Sequence, residues 1–250
     1  MLKIINSGCA GYMGCVVTDI AESDPGVRIV AGLDVNAGVQ VNYPVYKDLK
    51  QFHDEADVVI DFSHPSALDC LLLYGLTKNI PLVLCATGYT AEQIEAIDIA
   101  SKRVAIFRSG NMSVGVNLLC ELIKRTAKTL GEDFDIEIVE RHHRRKVDAP
   151  SGTALMLSDA AASVLPYEPD LVFERESVRK PRSTNEIGIS ALRGGTIVGV
   201  HEVIFAGQDE ILEFRHTAAS RDIFATGAIR AAKFIANKTP GIYNMGDVLC

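Results

Sequence analysis

The sequence predicts an α/β protein with two parts: an N-terminal domain built on a parallel sheet, and a second, α+β domain built on a mixed or antiparallel sheet. Over the first 110 residues, short apolar runs rich in Val and Ile alternate with amphipathic stretches, which is typical of strands joined by helical crossovers. Beyond Leu130 the apolar and polar residues alternate one by one, which indicates strands with one face on a core.

The strands of the first domain are predicted from the runs "LKIIN", "VRIVAGLD", "DVVIDFS", "IPLVLCATG" and "VAIFRSG". Helices are expected between them, over Tyr12–Glu22, Pro65–Thr77 and Thr90–Ser101. In parallel sheets of this kind, ligands bind beyond the carboxyl ends of the strands. The segments at those ends are Gly8, Asp34, Asp61–Ser63, Ala86–Gly88 and Ser109–Asn111.

The second domain is predicted to open with a long helix over Val114–Leu130. The alternating strands are "FDIEIVERHH", "EIGISALRGG", "TIVGVHEVIFAG" and "DEILEFRHTA", with one helix, Ser151–Val164, before the last three. We expect hairpins at "RGG" and "AGQDE". A final helix covers Arg221–Asn237; the pattern alone does not place it, and we assign it to the first domain. The boundaries are then 1–112 with 222–250 for the first domain and 113–221 for the second.

Composition limits the function classes. The chain has 250 residues, 48% hydrophobic and 23% charged, which is typical of a globular protein. A net charge of −7 argues against nucleic-acid binding, and no apolar run reaches the roughly 20 residues that span a membrane. The N-terminus lacks the features of a signal peptide, so we expect a cytoplasmic protein.

The six cysteines are scattered along the chain and include no CxxC motif. Four of them lie in apolar surroundings: Cys15, Cys70, Cys85 and Cys120. We therefore expect neither a disulfide framework nor a metal site.

The turn "GCAGYMG" follows the first predicted strand and opens a helix, as in a Rossmann-like dinucleotide-binding domain. Its glycines, Gly8, Gly11 and Gly14, allow the backbone to approach a pyrophosphate near the helix N-terminus. Asp34 ends the second strand, where a carboxylate accepts hydrogen bonds from ribose hydroxyls and repels a 2′-phosphate. No Arg or Lys lies in 35–41, so NADH is favoured over NADPH. The alternative is that Asp34 is a solvated residue at a strand end.

The segment "ERHHRRKVDAPSGTAL" concentrates imidazole and positive charge in an acidic chain. His142 and His143 are adjacent on a strand and point to opposite faces, so they are not expected to share a metal ion. A solvated loop would explain two of the cations, but not Ser151-Gly152-Thr153 at a helix start, where free N–H groups attract anions. With Lys146 this indicates a site that binds a dicarboxylate and protonates it.

This segment resembles the signature of the dihydrodipicolinate reductase family, and the similarity extends along the chain through "DVVIDFSHP", "SGNMSVGVNLL", "ALRGGTIVGVHEVIFAG" and "RHTAASRDIFATGAIRAAKFI". The resemblance implies that His142 is the proton donor and Lys146 the second catalytic residue, with substrate contacts from His143, Gly152 and Thr153, to which Ser151 is added from the helix start. It implies cofactor contacts from Gly8, Cys9, Ala10, Gly11, Tyr12, Met13, Asp34, Cys85, Ala86, Thr87, Gly110, Asn111, Met112 and Ser113.

The resemblance also implies hydride transfer from NADH or NADPH to a cyclic imine dicarboxylate with loss of water, in lysine and diaminopimelate biosynthesis. It implies a Rossmann-like first domain, a second domain with an open mixed sheet, and a homotetramer assembled through that second sheet. Tyr12 stands where the family often has an Arg that holds a 2′-phosphate, which again favours NADH. Two alternatives stay open: another Rossmann-type amino-acid dehydrogenase, and a non-catalytic NADH-binding redox sensor. A semialdehyde dehydrogenase would need a catalytic cysteine, for which Cys120 is the candidate. The loop 193–195 could reach the substrate, but it is not assigned to the site.

Overall fold

The computed structural model describes residues 1–36, 38 and 40–249, which divide into two compact units: 1–114 with 221–250, and 115–220. The strands are β1 (Leu2–Ser7), β2 (Val27–Leu33), β3 (Val45–Tyr46), β4 (Val58–Asp61), β5 (Leu82–Leu84), β6 (Ala105–Arg108), β7 (Asp135–His142), β8 (Asp170–Val172), β9 (Glu186–Arg193), β10 (Gly199–Ala206), β11 (Ile211–Ala218) and β12 (Gly241–Tyr243). The helices are α1 (Tyr12–Ser23), α2 (Leu68–Lys78), α3 (Ala91–Ser101), α4 (Val114–Leu130), α5 (Gly152–Ala162), α6 (Asp222–Ile235) and α7 (Met245–Leu249).

The first unit is built on a parallel sheet of seven strands in the order β12-β6-β5-β4-β1-β2-β3. Its central strands are buried on both faces, which explains their continuous Val and Ile. Side chains of α1 and α6 form one apolar cluster with the sheet, and side chains of α2 and α3 form another. The expectation of a parallel-sheet α/β domain is confirmed, and α6 packs on this sheet.

The second unit has a mixed sheet of five strands in the order β11-β10-β7-β9-β8. β10 is antiparallel to β7 and β11, whereas β7 and β9 run parallel. Along β7 every second residue is buried, and its buried apolar side chains pack with those of α4 and α5. Glu140 and His142 continue this buried face, so the sheet holds two titratable groups on the side that the helices cover.

Several details differ from the sequence expectation. The "RGG" turn does not close a hairpin, because β9 and β10 lie on opposite sides of β7; the "AGQDE" turn does join the antiparallel pair β10 and β11. The short strands β3, β8 and β12 were not predicted. Cys70 is exposed rather than buried in the core. Within the described part of the chain, no helix is both long and apolar enough to span a membrane.

Candidate functional site

The glycine turn between β1 and α1 is shaped by two backbone positions that exclude side chains. Gly8 has a φ of +79°, and a Cβ there would lie 2.9 Å from the backbone of Phe62 and Ser63. A Cβ on Gly14 would lie 2.1 Å from the carbonyl oxygen of Gly8, so only glycine allows the turn to pack on the first turn of α1. Gly11 is the N-cap and makes no side-chain cap hydrogen bond. This cradle fits the pyrophosphate of a dinucleotide.

Asp34 lies beside this turn, directly after β2. Its carboxylate accepts hydrogen bonds from the backbone N–H of Ala10 and of Asn36, both at 2.9 Å. A cleft of about 590 Å³ opens here, lined by Ser7, Gly8, Ala10, Gly11, Leu33, Asp34, Val35, Asn36, Lys47, Phe62, Ser63, His64, Ser66, Ala67 and Cys70. Four predicted cofactor residues, Gly8, Ala10, Gly11 and Asp34, therefore share one cleft.

Other predicted cofactor residues are placed differently. The side chain of Cys9 is fully buried, and burial raises the pKa of its thiol to about 11, so it can offer a cofactor only backbone atoms. Met112 is buried in the apolar cluster of the first sheet, and Met13 packs against it. The ring of Tyr12 is exposed and lies 5.6 Å from the guanidinium carbon of Arg221. The remaining predicted residues follow β5 and β6 at the carboxyl edge of the sheet, outside the lining of this cleft: Cys85, Ala86, Thr87, Gly110, Asn111 and Ser113.

In the second unit, a buried carboxylate holds the predicted proton donor. Nδ1 of His142 lies 2.6 Å from Oε2 of Glu140, whose side chain is fully buried. Two N–H groups of Arg193 donate to the two oxygens of Glu140, both at 2.8 Å. Burial would raise the pKa of Glu140, but the hydrogen bonds from Arg193 and His142 outweigh it and hold the pKa below its usual value. Glu140 is therefore a charged anchor for one nitrogen of His142.

Arg193 also fixes the loop that follows β7. Its guanidinium donates to the backbone carbonyl of Asp148 at 2.6 Å, while the backbone of Gly194 donates to the carbonyl of His142 at 2.9 Å. On the same loop, Nζ of Lys146 lies 2.8 Å from a carboxylate oxygen of Asp148, and this hydrogen bond lowers the pKa of Asp148. Arg193 was not assigned to the predicted site, but the structure connects it to His142 through Glu140 and to Lys146 through Asp148.

The start of α5 is joined to the same cluster. Ser151 is the N-cap: its hydroxyl accepts from the N–H of Ala154 at 3.2 Å and lies 3.0 Å from Nε2 of His201, and its own N–H donates to Glu140. The side chain of Ser151 is thus already used within the protein. Gly152 is exposed, and a Cβ there would meet nothing within 4 Å. Thr153 follows in the first turn of the helix.

Sequence reasoning missed three members of this cluster, Glu140, His201 and Gly199. The rings of His142 and His201 are edge to face with centroids 5.1 Å apart. A Cβ on Gly199 would lie 3.2 Å from Nε2 of His142, so glycine keeps space at that nitrogen. Glu140 could have been found, because it lies two residues before His142 on the same strand face. His143, the predicted substrate contact, is half-buried at the next position.

Two other classes of site are a metal centre and a catalytic cysteine. Among the described residues, no group of His, Cys, Asp and Glu could hold a metal ion. Cys120, the candidate nucleophile of a semialdehyde dehydrogenase, is buried in the core with α4, and burial raises the pKa of its thiol to about 11. A thiol in that environment is a weak nucleophile.

Comparison with known proteins identifies the family. Residues 2–112 match the family model "Dihydrodipicolinate reductase, N-terminus", and residues 115–249 match "Dihydrodipicolinate reductase, C-terminus". The chain is 49% identical over its full length to the 4-hydroxy-tetrahydrodipicolinate reductase of Caldanaerobacter subterraneus, covering 98% of that protein, and 48% identical to the enzyme of Clostridium novyi with the same coverage.

Solved structures agree on the fold. A dipicolinate-bound dihydrodipicolinate reductase from Paenisporosarcina superposes with a TM-score of 0.79 at 23% identity, over 98% of this chain and 97% of that one. A diaminopimelate dehydrogenase from Corynebacterium glutamicum superposes with a TM-score of 0.59 at 11% identity, covering 100% and 95% of the two chains. The chain therefore belongs to the dihydrodipicolinate reductase family, whose members are oxidoreductases with a nicotinamide-binding Rossmann fold.

Proposed function

We propose that this enzyme reduces 4-hydroxy-tetrahydrodipicolinate, a cyclic imine dicarboxylate, to tetrahydrodipicolinate in lysine and diaminopimelate biosynthesis. The substrate gains a hydride and a proton and loses one water molecule. When bound, a reduced nicotinamide cofactor would supply the hydride from its dihydropyridine ring. The observation that carries the proposal is the cluster of His142, Glu140 and Arg193, because it sets an imidazole on a buried carboxylate next to a loop lysine and a helix start.

His142 is the proposed proton donor. Because Nδ1 is held by Glu140, the other ring nitrogen, Nε2, is left to deliver the proton, and Gly199 leaves space beside it. Arg193 donates to both oxygens of Glu140 and keeps this carboxylate ionised, so the acceptor that holds Nδ1 of His142 is a charged group.

Lys146 and the first turn of α5 are the proposed receptor for the substrate carboxylates. The ammonium group of Lys146 pairs with the exposed carboxylate of Asp148, and such an ion pair is weak enough to be exchanged for a substrate carboxylate. Gly152 and Thr153 present the positive end of the helix, which attracts a second carboxylate. We propose that His143 also contacts the substrate, whereas Ser151 acts mainly as the helix cap.

NADH is the proposed preferred cofactor, bound to the glycine turn and Asp34. The carboxylate of Asp34 can accept a hydrogen bond from the adenosine ribose and opposes a 2′-phosphate. Tyr12 supports the same preference, since it stands at the sequence position where the family often has an arginine that holds that phosphate. Contacts to the nicotinamide end are proposed for the residues after β5 and β6, through backbone atoms at Cys85, Ala86 and Met112.

The proposal is tested by steady-state oxidation of NADH with freshly generated 4-hydroxy-tetrahydrodipicolinate. His142→Gln is expected to lower kcat by about 10²- to 10⁴-fold, because general acid catalysis is lost. Lys146→Ala is expected to lower kcat and raise KM. Arg145→Ala removes an exposed cation from the same loop and should change neither. Equal activity of the His142→Gln variant and the unchanged enzyme would contradict the proposal.

We also propose that the enzyme is a homotetramer assembled through the second sheet. Its edge strand β11 exposes Ile211 and Leu212, and Leu192 is exposed near the end of β9. Apolar side chains exposed along a sheet favour contact with another chain. Sedimentation equilibrium should give four times the mass of 27.1 kDa, and Leu212→Glu should lower it. A monomer at micromolar concentration would contradict this assignment.

A further inference from the structure

A lysine that the sequence patterns did not indicate lines the cleft beside the glycine turn. Lys47 lines the same cleft as Asp34 and the glycine turn. It is brought there by the pairing of β2 and β3, in which Leu33 is opposite Tyr46 and the N–H of Asp34 donates to the carbonyl of Tyr46 at 3.0 Å. Asp34 and Lys47 therefore come at equivalent positions, one residue beyond the ends of two neighbouring parallel strands.

Lys47 is available for a ligand. Its side chain is exposed, and it makes no ion pair or side-chain hydrogen bond with any residue that the structure describes. The carboxylate of Asp34 does not engage it, because its two oxygens accept from the backbone N–H groups of Ala10 and Asn36. The ribose end of the cleft thus carries one negative charge held by backbone amides and one positive charge without a protein partner among the described residues.

We propose that Lys47 is a specificity-determining residue, which binds the 2′-phosphate of NADPH and so sets how strongly this enzyme binds NADPH relative to NADH. This rests on the proposed function, since the cleft must bind the adenosine end of a nicotinamide dinucleotide. A lysine ammonium is a point charge that pairs with phosphate in many orientations. NADH carries a hydroxyl instead of a phosphate at the 2′ position of its adenosine ribose. That hydroxyl can donate a hydrogen bond to Asp34, and NADH has no 2′-phosphate for Lys47 to bind.

Direct binding measurements on the full-length enzyme test the inference without the reaction. NADH and NADPH are titrated by their fluorescence into the unchanged enzyme, Lys47→Ala, and Lys50→Ala, which removes an exposed lysine three residues further on that does not line this cleft. We expect Lys47→Ala to raise the Kd of NADPH by about five- to tenfold and to leave that of NADH within about twofold. Lys50→Ala should change neither the Kd of NADH nor that of NADPH. Lys47→Arg, which keeps the positive charge, should bind NADPH about as tightly as the unchanged enzyme does.

The dependence of the NADPH Kd on salt concentration is a second measurement. The Kd of NADPH should rise with salt more steeply for the unchanged enzyme than for Lys47→Ala, because an exposed ion pair is screened. An unchanged ratio of NADPH to NADH affinity in Lys47→Ala would overturn the inference, as would an unchanged enzyme that binds NADH but not NADPH. Failure to bind either nucleotide would instead overturn the proposed function, with which this inference also falls.

Discussion

Glu140 shows how one buried charge can organise a site without touching the substrate. Its two carboxylate oxygens accept from Arg193, His142 and the N–H of Ser151, which belong to three different elements. A buried carboxylate is costly unless such donors surround it. Here the donors are the proposed acid, the helix cap and the arginine that holds the loop, so the same hydrogen bonds that satisfy the carboxylate also place the groups around it.

Replacing Glu140 with Gln keeps its shape and removes its charge. We expect kcat to fall by about 10- to 100-fold, with a smaller change in KM, because the loss of hydrogen bonds to a charged group misplaces His142 rather than the substrate receptor. Steady-state kinetics over a range of substrate concentrations measures kcat and KM separately.

The matched control is Glu202→Gln, which removes a partly buried carboxylate from β10 that pairs with Arg141 rather than with His142. Its kcat and KM should stay close to those of the unchanged enzyme. If Glu140→Gln and Glu202→Gln behave alike, Glu140 has only a structural role.

The sequence indicates those residues of the site that lie close together along the chain, and it does not indicate those that lie far apart. Glu140, His142, Lys146 and Ser151 lie in one segment, and its composition alone indicated anion binding and protonation. Arg193 lies 53 positions from Glu140, and its place depends on the parallel pairing of β7 with β9. The sequence instead predicted a hairpin at that turn, and a hairpin would not bring β9 beside β7.

At the scale of elements, two helices have a glycine in their first turn, for opposite reasons. Gly14 in α1 is required by contact, since a Cβ would overlap the backbone of Gly8 and Cys9, at 2.1 and 2.6 Å. Gly152 in α5 has open space around its Cβ direction. The first glycine therefore serves packing of the turn, and the second keeps the helix start accessible to a ligand.

Gly14→Ala is expected to lower the free energy of unfolding by about 1–3 kcal/mol or more and to weaken NADH binding, because the turn must open to accept the methyl group. Gly152→Ala should instead raise the free energy of unfolding by about 0.5–1 kcal/mol, since Ala is a better helix residue than Gly and meets no obstacle. Urea unfolding of both variants measures this contrast. Equal destabilisation would contradict the contact argument.

The same scale shows which elements a sequence can indicate. The predicted helix over Val114–Leu130 agrees with α4, and the other main helices are within a few residues of their predicted bounds, because each has several turns of amphipathic pattern. The missed strands β3, β8 and β12 have two or three residues, too few to show alternation. Among them, β3 brings Lys47 to the cleft that Asp34 lines, so the proposal for Lys47 depends on an element that the sequence pattern does not reveal.

At the scale of the whole molecule, a buried histidine makes folding depend on pH. Burial, reinforced by His142, lowers the pKa of His201 from 6.5 to about 4, with smaller lowering effects from His216 and Lys146 and an opposing effect from Glu140. The folded protein therefore keeps His201 neutral while the unfolded chain protonates it. Stability from this group is complete above pH 6.5 and is lost as the pH falls towards 4.

Chemical denaturation at pH 7.5 and pH 4.5 tests this dependence. A pKa lowered from 6.5 to about 4 corresponds to about 3 kcal/mol, so the unchanged protein should lose on the order of 1–3 kcal/mol more than His201→Gln over this interval. Gln can keep the hydrogen bond to Ser151 but does not titrate. His53→Gln, at an exposed position, should behave like the unchanged protein. Parallel losses in all three proteins would show that His201 is not the group responsible.

Catalysis of one specific reduction is the central claim for the whole molecule. The most direct test is a paired measurement of NADH and NADPH oxidation by the unchanged enzyme with freshly generated 4-hydroxy-tetrahydrodipicolinate. We expect substrate-dependent turnover that is faster with NADH and slower but measurable with NADPH, and formation of tetrahydrodipicolinate in equal amount to the cofactor oxidised. Equal rates would contradict the cofactor preference assigned to Asp34 and Tyr12. No turnover with either cofactor would contradict the central claim.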